Sequence, residues 1–166
     1  MNQQSKTMDN SEKSPSRLTR RGLLVLGVAG IATGGAVAAQ WYNILGETGN
    51  ADLSPPDVHA AAAAGDLLLI DIRRPDEWAR TGIGEGAIPL DMRREDFEAA
   101  LLELAEGDKT RIIAVICARG VRSRRMTELL NGAGFTRIID VPEGMLGSGA
   151  GPGWLKRQLP TVPYNS

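Results

Sequence analysis

Residues 112–123 read IIAVICARGVRS, and this stretch decides the fold class. Its first five residues form an apolar run of strand length, which is typical of a strand buried on both faces of a sheet. Cys117 ends the run, a short polar loop to Arg122 follows, and a helix is predicted to begin near Ser123. A strand, a loop and a helix in this order are typical of α/β proteins with a parallel sheet.

The same alternation of apolar strands and helical segments continues on both sides of this stretch. Pro89 predicts an edge or terminal position for its strand, because proline cannot donate to a sheet hydrogen bond. We therefore predict an α/β fold with a central parallel sheet flanked by helices on both faces, in a domain over 54–162. The predicted strands are 67–70, 87–90, 112–116 and 137–141, and the predicted helices are 54–64, a short one from 75, 95–105, 123–131 and 154–159.

Composition limits the chemistry that this chain can perform. The 166 residues include one cysteine, Cys117, and one histidine, His59. One cysteine excludes an internal disulfide and the metal or iron–sulfur sites that need several thiolates from one chain. We therefore expect no metal and no cofactor, and we expect redox or nucleophilic chemistry to use Cys117. His59 is interpreted as a surface residue of the first helix. A net charge of −1 does not favour a nucleic-acid partner.

The net charge is the average of two differently built segments. Residues 1–39 carry five basic and two acidic side chains, whereas the remainder carries 14 basic and 18 acidic ones. In the first segment Arg20 and Arg21 precede a mildly hydrophobic run over 22–39 that ends in AVAA. This arrangement resembles a twin-arginine export signal followed by a cleavage site.

An uncleaved membrane anchor is the alternative interpretation of the same run. About 18 apolar residues are at the short end of what spans a bilayer, and Trp41 and Tyr42 follow where interfacial aromatic residues occur. Both interpretations predict a periplasmic or extracytoplasmic domain, and the second predicts inner-membrane association through 22–39. The predicted organisation is a disordered start with a signal or anchor over 1–40, a linker over 41–53 and the domain.

Positive charge is concentrated around the only thiol. Arg119, Arg122, Arg124 and Arg125 lie within nine residues of Cys117, and no acidic residue occurs between Arg111 and Thr127. Successive amide groups of a loop that leads into a helix can form an anion-binding nest, and the helix N-terminus adds a positive dipole end. These features favour a reactive thiolate. The alternative is an unreactive buried cysteine, which would not need this density of arginines.

Four segments in order give the chain a resemblance to the rhodanese family of sulfurtransferases. The first is an apolar strand that ends in Asp-x-Arg and continues into Pro-x-Glu-aromatic, and the third is the cysteine loop. The likeness extends from Ser54 to Pro160. The matching segments are LIDIRRPDEW at 69–78, GAIP at 86–89, CARGVRS at 117–123 and the closing stretch over 143–160.

The resemblance implies a single rhodanese domain in which Cys117 takes a sulfane sulfur from a small anionic donor such as thiosulfate. The sulfur would be held as a persulfide and passed to cyanide or an external thiol. The backbone amides of residues 118–123 would cradle it, and Arg119 and Arg122 would attract the donor. The predicted substrate-binding residues are Ala118, Arg119, Gly120, Val121, Arg122, Ser123, Asp71 and Arg73. Asp71 either orients the loop or is a turn residue.

Two alternative functions and the role of one segment remain open. A phosphatase or arsenate reductase is disfavoured, because four residues separate Cys117 from Arg122 and related enzymes of that kind have five. A non-catalytic or sulfur-carrying module that docks to an envelope partner is the second. The segment is the glycine-rich stretch over 144–153, which is either a lid over the loop or a flexible insertion.

Overall fold

A computed structural model describes residues 52–165. The predicted signal or anchor and most of the predicted linker lie outside the described residues. Within 52–165 no helix has both the length and the apolar character needed to cross a membrane.

Helices and strands alternate along the described part of the chain, as the sequence pattern predicts. The helices are α1 (Pro55–Ala64), α2 (Pro75–Thr81), α3 (Phe97–Leu104), α4 (Val121–Gly132) and α5 (Gly153–Lys156). The strands are β1 (Leu68–Asp71), β2 (Ile83–Gly84), β3 (Ala87–Pro89), β4 (Ile113–Ile116), β5 (Ile138–Val141) and β6 (Thr161–Val162).

The central sheet has the strand order β3-β1-β4-β5, and all its pairs are parallel. The register places Asp71 opposite Ile116, and Ile116 opposite Val141. The carboxyl ends of three strands therefore meet at one edge of the sheet, where reactive groups of α/β proteins collect. Strand β3, which carries Pro89, is an edge strand as predicted. The predicted central parallel sheet flanked by helices is confirmed.

Both faces of the sheet are buried. Ile113 and Val115 of β4 belong to the main hydrophobic cluster, which receives Phe97 and Leu101 from α3 and Met126 and Leu130 from α4. Side chains alternate between faces along a strand, so the row formed by Leu69, Ala114 and Ile139 lies on the opposite face, where it is also buried. Burial on both faces explains why the sequence of β4 is continuously apolar.

Most predicted bounds differ from the structure by one to three residues, and the last helix ends at Lys156 instead of residue 159. Three further differences concern the cysteine loop and the two ends of the domain. Helix α4 begins at Val121, two residues before the predicted start, because Gly120 adopts a left-handed conformation (φ 80°) as its N-cap. Asp52 and Leu53, assigned to the linker, form an isolated parallel bridge with β5, in which Leu53 N donates to Asp140 O at 3.0 Å. At the other end, β6 pairs with β2 in a small antiparallel sheet that the sequence did not predict.

Candidate active site

Cys117 follows the last residue of β4 and is buried, with 1% of its surface exposed. Its Sγ atom lies 3.6 Å from Ser123 Oγ in the first turn of α4. The Ser123 hydroxyl donates to Gly120 O at 3.0 Å. The cysteine and the serine at the two ends of the CARGVRS segment therefore face each other across the loop.

The carbonyl groups at the start of the loop are tied to the glycine-rich stretch. Met145 N donates to Cys117 O, and Leu146 N donates to Ala118 O, both at 2.9 Å. Gly144 makes this close approach possible, because a Cβ atom there would lie 2.7 Å from the Ala118 backbone. The stretch therefore packs directly against the backbone of the cysteine loop.

The carbonyl groups of Cys117 and Ala118 accept hydrogen bonds from the protein, whereas the amide N–H groups of the loop have no protein partner within residues 52–165. Within the described part of the chain, none of the N–H groups of residues 118–123 donates to a protein acceptor. The first N–H groups of a helix have no intrahelical partner, and the positive end of the helix dipole adds to them. These donors belong to the loop that begins at Cys117 and are suited to hold a bound anion or a sulfur-borne negative charge.

Of the four arginines near Cys117, Arg122 is partly buried, and Arg119, Arg124 and Arg125 are exposed. Arg122 forms a bidentate ion pair with Glu77 of α2, with distances of 2.8 Å (Nη1–Oε2) and 2.6 Å (Nη2–Oε1). This hydrogen bonding lowers the pKa of Glu77 from 4.5 to about 2, although desolvation acts in the opposite direction. The charge of Arg122 is thus largely offset, and attraction of an anion by Arg119 and Arg122 stays a prediction.

Asp71 and Arg73 form a buried ion pair at the carboxyl end of β1, where Asp71 pairs with Ile116, the last residue of β4. Arg73 Nε donates to both carboxyl oxygens of Asp71 at 3.0 Å, and its Nη2 donates to Oδ2 at 2.7 Å. The remaining donors of Arg73 reach Thr81 Oγ1 and Gly82 O. Both side chains are at most 1% exposed. The pair holds β1 against the end of α2, and the predicted substrate contact of these two residues stays a prediction.

Two functional candidates were missed by the sequence analysis, and both are acidic. Glu143 accepts hydrogen bonds from Gly153 N and from Arg157, which lower its pKa. Asp140 of β5 is 4% exposed, and neither of its carboxyl oxygens has a hydrogen-bond partner in the structure. The sequence signal that could have identified Asp140 was an acidic residue near the end of the otherwise apolar predicted strand over 137–141. Across 52–165 no group of three His, Cys, Asp or Glu residues is arranged for a metal ion.

Comparisons with curated proteins find relatives that match part of this chain. A tRNA uridine(34) hydroxylase of Nitrobacter hamburgensis is 32% identical over 95 residues, which are 57% of this chain and 37% of that protein. A protein of the same name from Acinetobacter baumannii is 30% identical over 57% of this chain and 30% of its own length. The chain therefore spans about a third of the length of these curated relatives.

Two solved structures share the fold. The polysulfide-sulfur transferase homodimer of Wolinella succinogenes matches with a TM-score of 0.52 and 24% identity, over 80% of this chain and 90% of that one. A thiosulfate sulfurtransferase from Pseudomonas aeruginosa matches with a TM-score of 0.56 and 23% identity, over 77% of this chain and 23% of that one. The family model for the rhodanese-like domain matches residues 54–147. The chain therefore belongs to the rhodanese-like domain family.

Proposed function

We propose that this protein is a rhodanese-type sulfurtransferase that carries a sulfane sulfur as a persulfide on Cys117. The observation that supports this most directly is the run of N–H groups from residues 118–123, which have no acceptor in the described part of the chain and directly follow its one thiol. A persulfide anion is an acceptor for several such donors at once, and hydrogen bonds to a charged acceptor are stronger than those between neutral groups.

In the first half of the reaction, the Cys117 thiolate attacks the outer sulfur of thiosulfate. A bond forms between Sγ and that sulfur, the bond between the two thiosulfate sulfurs breaks, and sulfite leaves with the electron pair. The negative charge that remains on the outer persulfide sulfur lies among the loop amides. Arg119, which is exposed beside the loop, supplies the positive charge that attracts the dianionic donor.

In the second half, cyanide or an external thiolate attacks the outer sulfur. A new bond to the acceptor forms, the bond between the outer sulfur and Cys117 Sγ breaks, and the Cys117 thiolate is the leaving group. The acceptor is external because the chain has no second cysteine to resolve the persulfide.

Thiosulfate is proposed as the donor because it is a small anion that suits the exposed Arg119 and the loop N–H groups that have no acceptor among the described residues. The solved sulfurtransferases are less than 25% identical and support the fold alone. The hydroxylase name belongs to relatives of which this chain covers about a third, and the matched segment is the rhodanese-like region. We therefore propose a sulfur-transfer step and no tRNA substrate.

We also propose that the protein is exported from the cytoplasm. The Arg20-Arg21 pair and the apolar run over 22–39 support delivery to the periplasm, either with cleavage after the alanine cluster or with retention in the inner membrane. N-terminal sequencing of the protein from the periplasmic and membrane fractions distinguishes these outcomes. An intact N-terminus in the cytoplasmic fraction alone would contradict export.

The chemical step is tested by intact-mass spectrometry after incubation with thiosulfate. The wild-type chain is expected to gain the mass of one sulfur, and Cys117→Ser is expected to gain none. Subsequent cyanide should remove the sulfur and yield thiocyanate. Wild-type protein alkylated beforehand is the matched control for non-specific adducts. The absence of an adduct with thiosulfate, with polysulfide and with a small persulfide would overturn the proposal. An adduct that forms without steady-state turnover would assign the alternative role of a sulfur carrier.

A further inference from the structure

Asp140 is a buried acid that the proposed mechanism does not use. It lies on β5 next to β4, with 4% of its surface exposed and no hydrogen-bond partner on either carboxyl oxygen. A buried carboxylate without partners is costly, and such an exception to polar pairing calls for a physical explanation. Its Oδ2 atom lies 3.9 Å from Nε of Arg124 in the first turn of α4, the residue that follows Ser123.

Ser123 can turn its hydroxyl toward more than one acceptor. It donates at present to Gly120 O at 3.0 Å, and its oxygen lies 3.6 Å from Cys117 Sγ. Gly120 O also accepts from Arg124 N at 3.1 Å. This carbonyl therefore keeps a donor if the Ser123 hydroxyl turns to the sulfur or to Asp140, so the hydroxyl can be redirected at little cost.

The groups around Asp140 determine which of its protonation states is favoured. Desolvation by burial raises the pKa of the Asp140 carboxyl above its ordinary value of 3.8, and the Ser123 hydroxyl lowers it. Among the charged neighbours, Asp52 raises the pKa and Arg124 lowers it. Arg124 Nε lies 3.9 Å from Oδ2 and is mostly exposed, so it pairs weakly with Asp140. Strand β4 contributes the apolar Val115 opposite Asp140.

We propose that Asp140 is a positioning residue that determines, through the Ser123 hydroxyl, whether the sulfur of Cys117 receives a hydrogen bond. This inference rests on the proposed function. A protonated Asp140 donates to Ser123 Oγ, which leaves the Ser123 proton directed to the sulfur. An ionised Asp140 instead accepts that proton and withdraws it from the sulfur. The hydrogen bond matters most when the Cys117 thiolate leaves in the second half of the reaction.

The test measures single-turnover transfer from the persulfide to cyanide in the full-length chain, from pH 4, near the ordinary pKa of an aspartate, up to pH 9. At each pH the rate of Asp140→Asn is divided by that of the wild type, so that titration of the acceptor cancels. The asparagine amide donates to Ser123 at every pH. We expect the ratio to rise by about 3–10-fold as Asp140 ionises in the wild type, which is the value of one hydrogen bond of about 1 kcal/mol.

Two controls separate this role from a structural one. Glu98→Gln removes an exposed carboxylate that pairs with Lys109, away from Asp140, and its rate divided by that of the wild type should stay flat with pH. When Asp140→Asn is made in a Ser123→Ala chain and its rate is divided by that of Ser123→Ala alone, the ratio should not change with pH, because the proposed path runs through the serine hydroxyl. A ratio that is flat in the single variant, or that persists without Ser123, would overturn the proposal.

A second measurement does not depend on the folding of Asp140→Asn. Ser123→Ala alone should slow transfer at low pH and lose this defect as pH rises, since the ionised Asp140 has by then withdrawn the hydroxyl. A pH-independent defect would contradict the inference. The proposed function fails separately, if the wild-type chain forms no persulfide at all.

Discussion

The Glu77–Arg122 ion pair shows at the residue scale how a side chain of the cysteine loop is fixed. Glu77 belongs to α2 and Arg122 to α4, and the two are 45 residues apart in sequence. Bidentate pairing of this kind combines charge with fixed geometry. The same carboxylate accepts a hydrogen bond from Arg74 N at 3.0 Å, at the start of its own helix. Glu77 therefore connects the start of α2 with the first turn of the helix that follows Cys117.

Glu77→Gln should reduce stability at neutral pH by about 1–3 kcal/mol, the range for hydrogen bonds to charged groups. The pKa of Glu77 is lowered from 4.5 to about 2 in the folded chain. A lowered carboxyl pKa gives stability that is present above pH 4.5 and lost as pH falls toward 2. Urea unfolding at several pH values should show that the difference between wild type and variant shrinks across this window. A difference that stays constant down to pH 2 would contradict the assignment.

Gly120→Ala should strongly destabilise the cysteine loop. Gly120 has a φ of 80°, and a Cβ atom there would collide with the Pro142 backbone, which cannot move aside easily. We expect a loss of at least about 2 kcal/mol, which combines the left-handed backbone with steric overlap. Gly107→Ala is the matched control, because Gly107 has a φ of 81° and open space around it. Thermal unfolding should show a clearly larger loss for Gly120→Ala, and equal losses would contradict the steric argument.

At the element scale, the glycine-rich stretch is a packed part of the active-site wall. Its residues bond to the cysteine loop through Met145 and Leu146, and Ser148 pairs with Gly151 in a tight turn. Glu143 then joins the stretch to α5 through Gly153 N and Arg157. The structure therefore describes a hydrogen-bonded segment here and not a freely solvated insertion.

Glu143→Gln should loosen this segment without unfolding the sheet. The variant loses the charge that Arg157 pairs with, and about 1.4 kcal/mol of lost local stability corresponds to tenfold faster exchange. Hydrogen exchange should therefore speed up about tenfold at the Gly153 amide, with little change in β4. The control is Glu98→Gln, which breaks the exposed pair with Lys109. Unchanged protection at Gly153 in the Glu143 variant would argue against this anchoring role.

For the whole molecule, the single cysteine limits how a persulfide on Cys117 can be released. A persulfide on Cys117 cannot form an internal disulfide, since the chain contains no other thiol. We predict that one sulfur per chain stays bound after desalting and is released only when cyanide or an external thiol is added. Intact-mass spectra taken over time check this, with Cys117→Ser as the unloaded control. Spontaneous loss accompanied by covalent dimers would show that a second copy acts as acceptor.

Most of the secondary structure and the sheet class followed from the sequence alone, and so did the proposal that Cys117 is the reactive residue. The continuous apolar run of β4 predicts a strand buried on both faces, and Pro89 predicts an edge strand, because both patterns reflect local requirements of the backbone. Cys117 could be predicted as the nucleophile because the chain has no other thiol. Its loop could be predicted as an anion site because the arginines follow the cysteine closely in sequence.

Only the tertiary structure decided which side chains meet. The sequence predicts that Arg122 lies beside an incoming anion, whereas the fold brings Glu77 of α2 within 2.6 Å of it as a partner. The fold also brought Asp140 of β5 within 3.9 Å of Arg124 in the first turn of α4, and the glycine-rich stretch onto the loop carbonyls. Periodicity and turn residues report the conformation of a few neighbouring residues. Contacts between distant segments depend on strand order and helix packing, which no local pattern encodes.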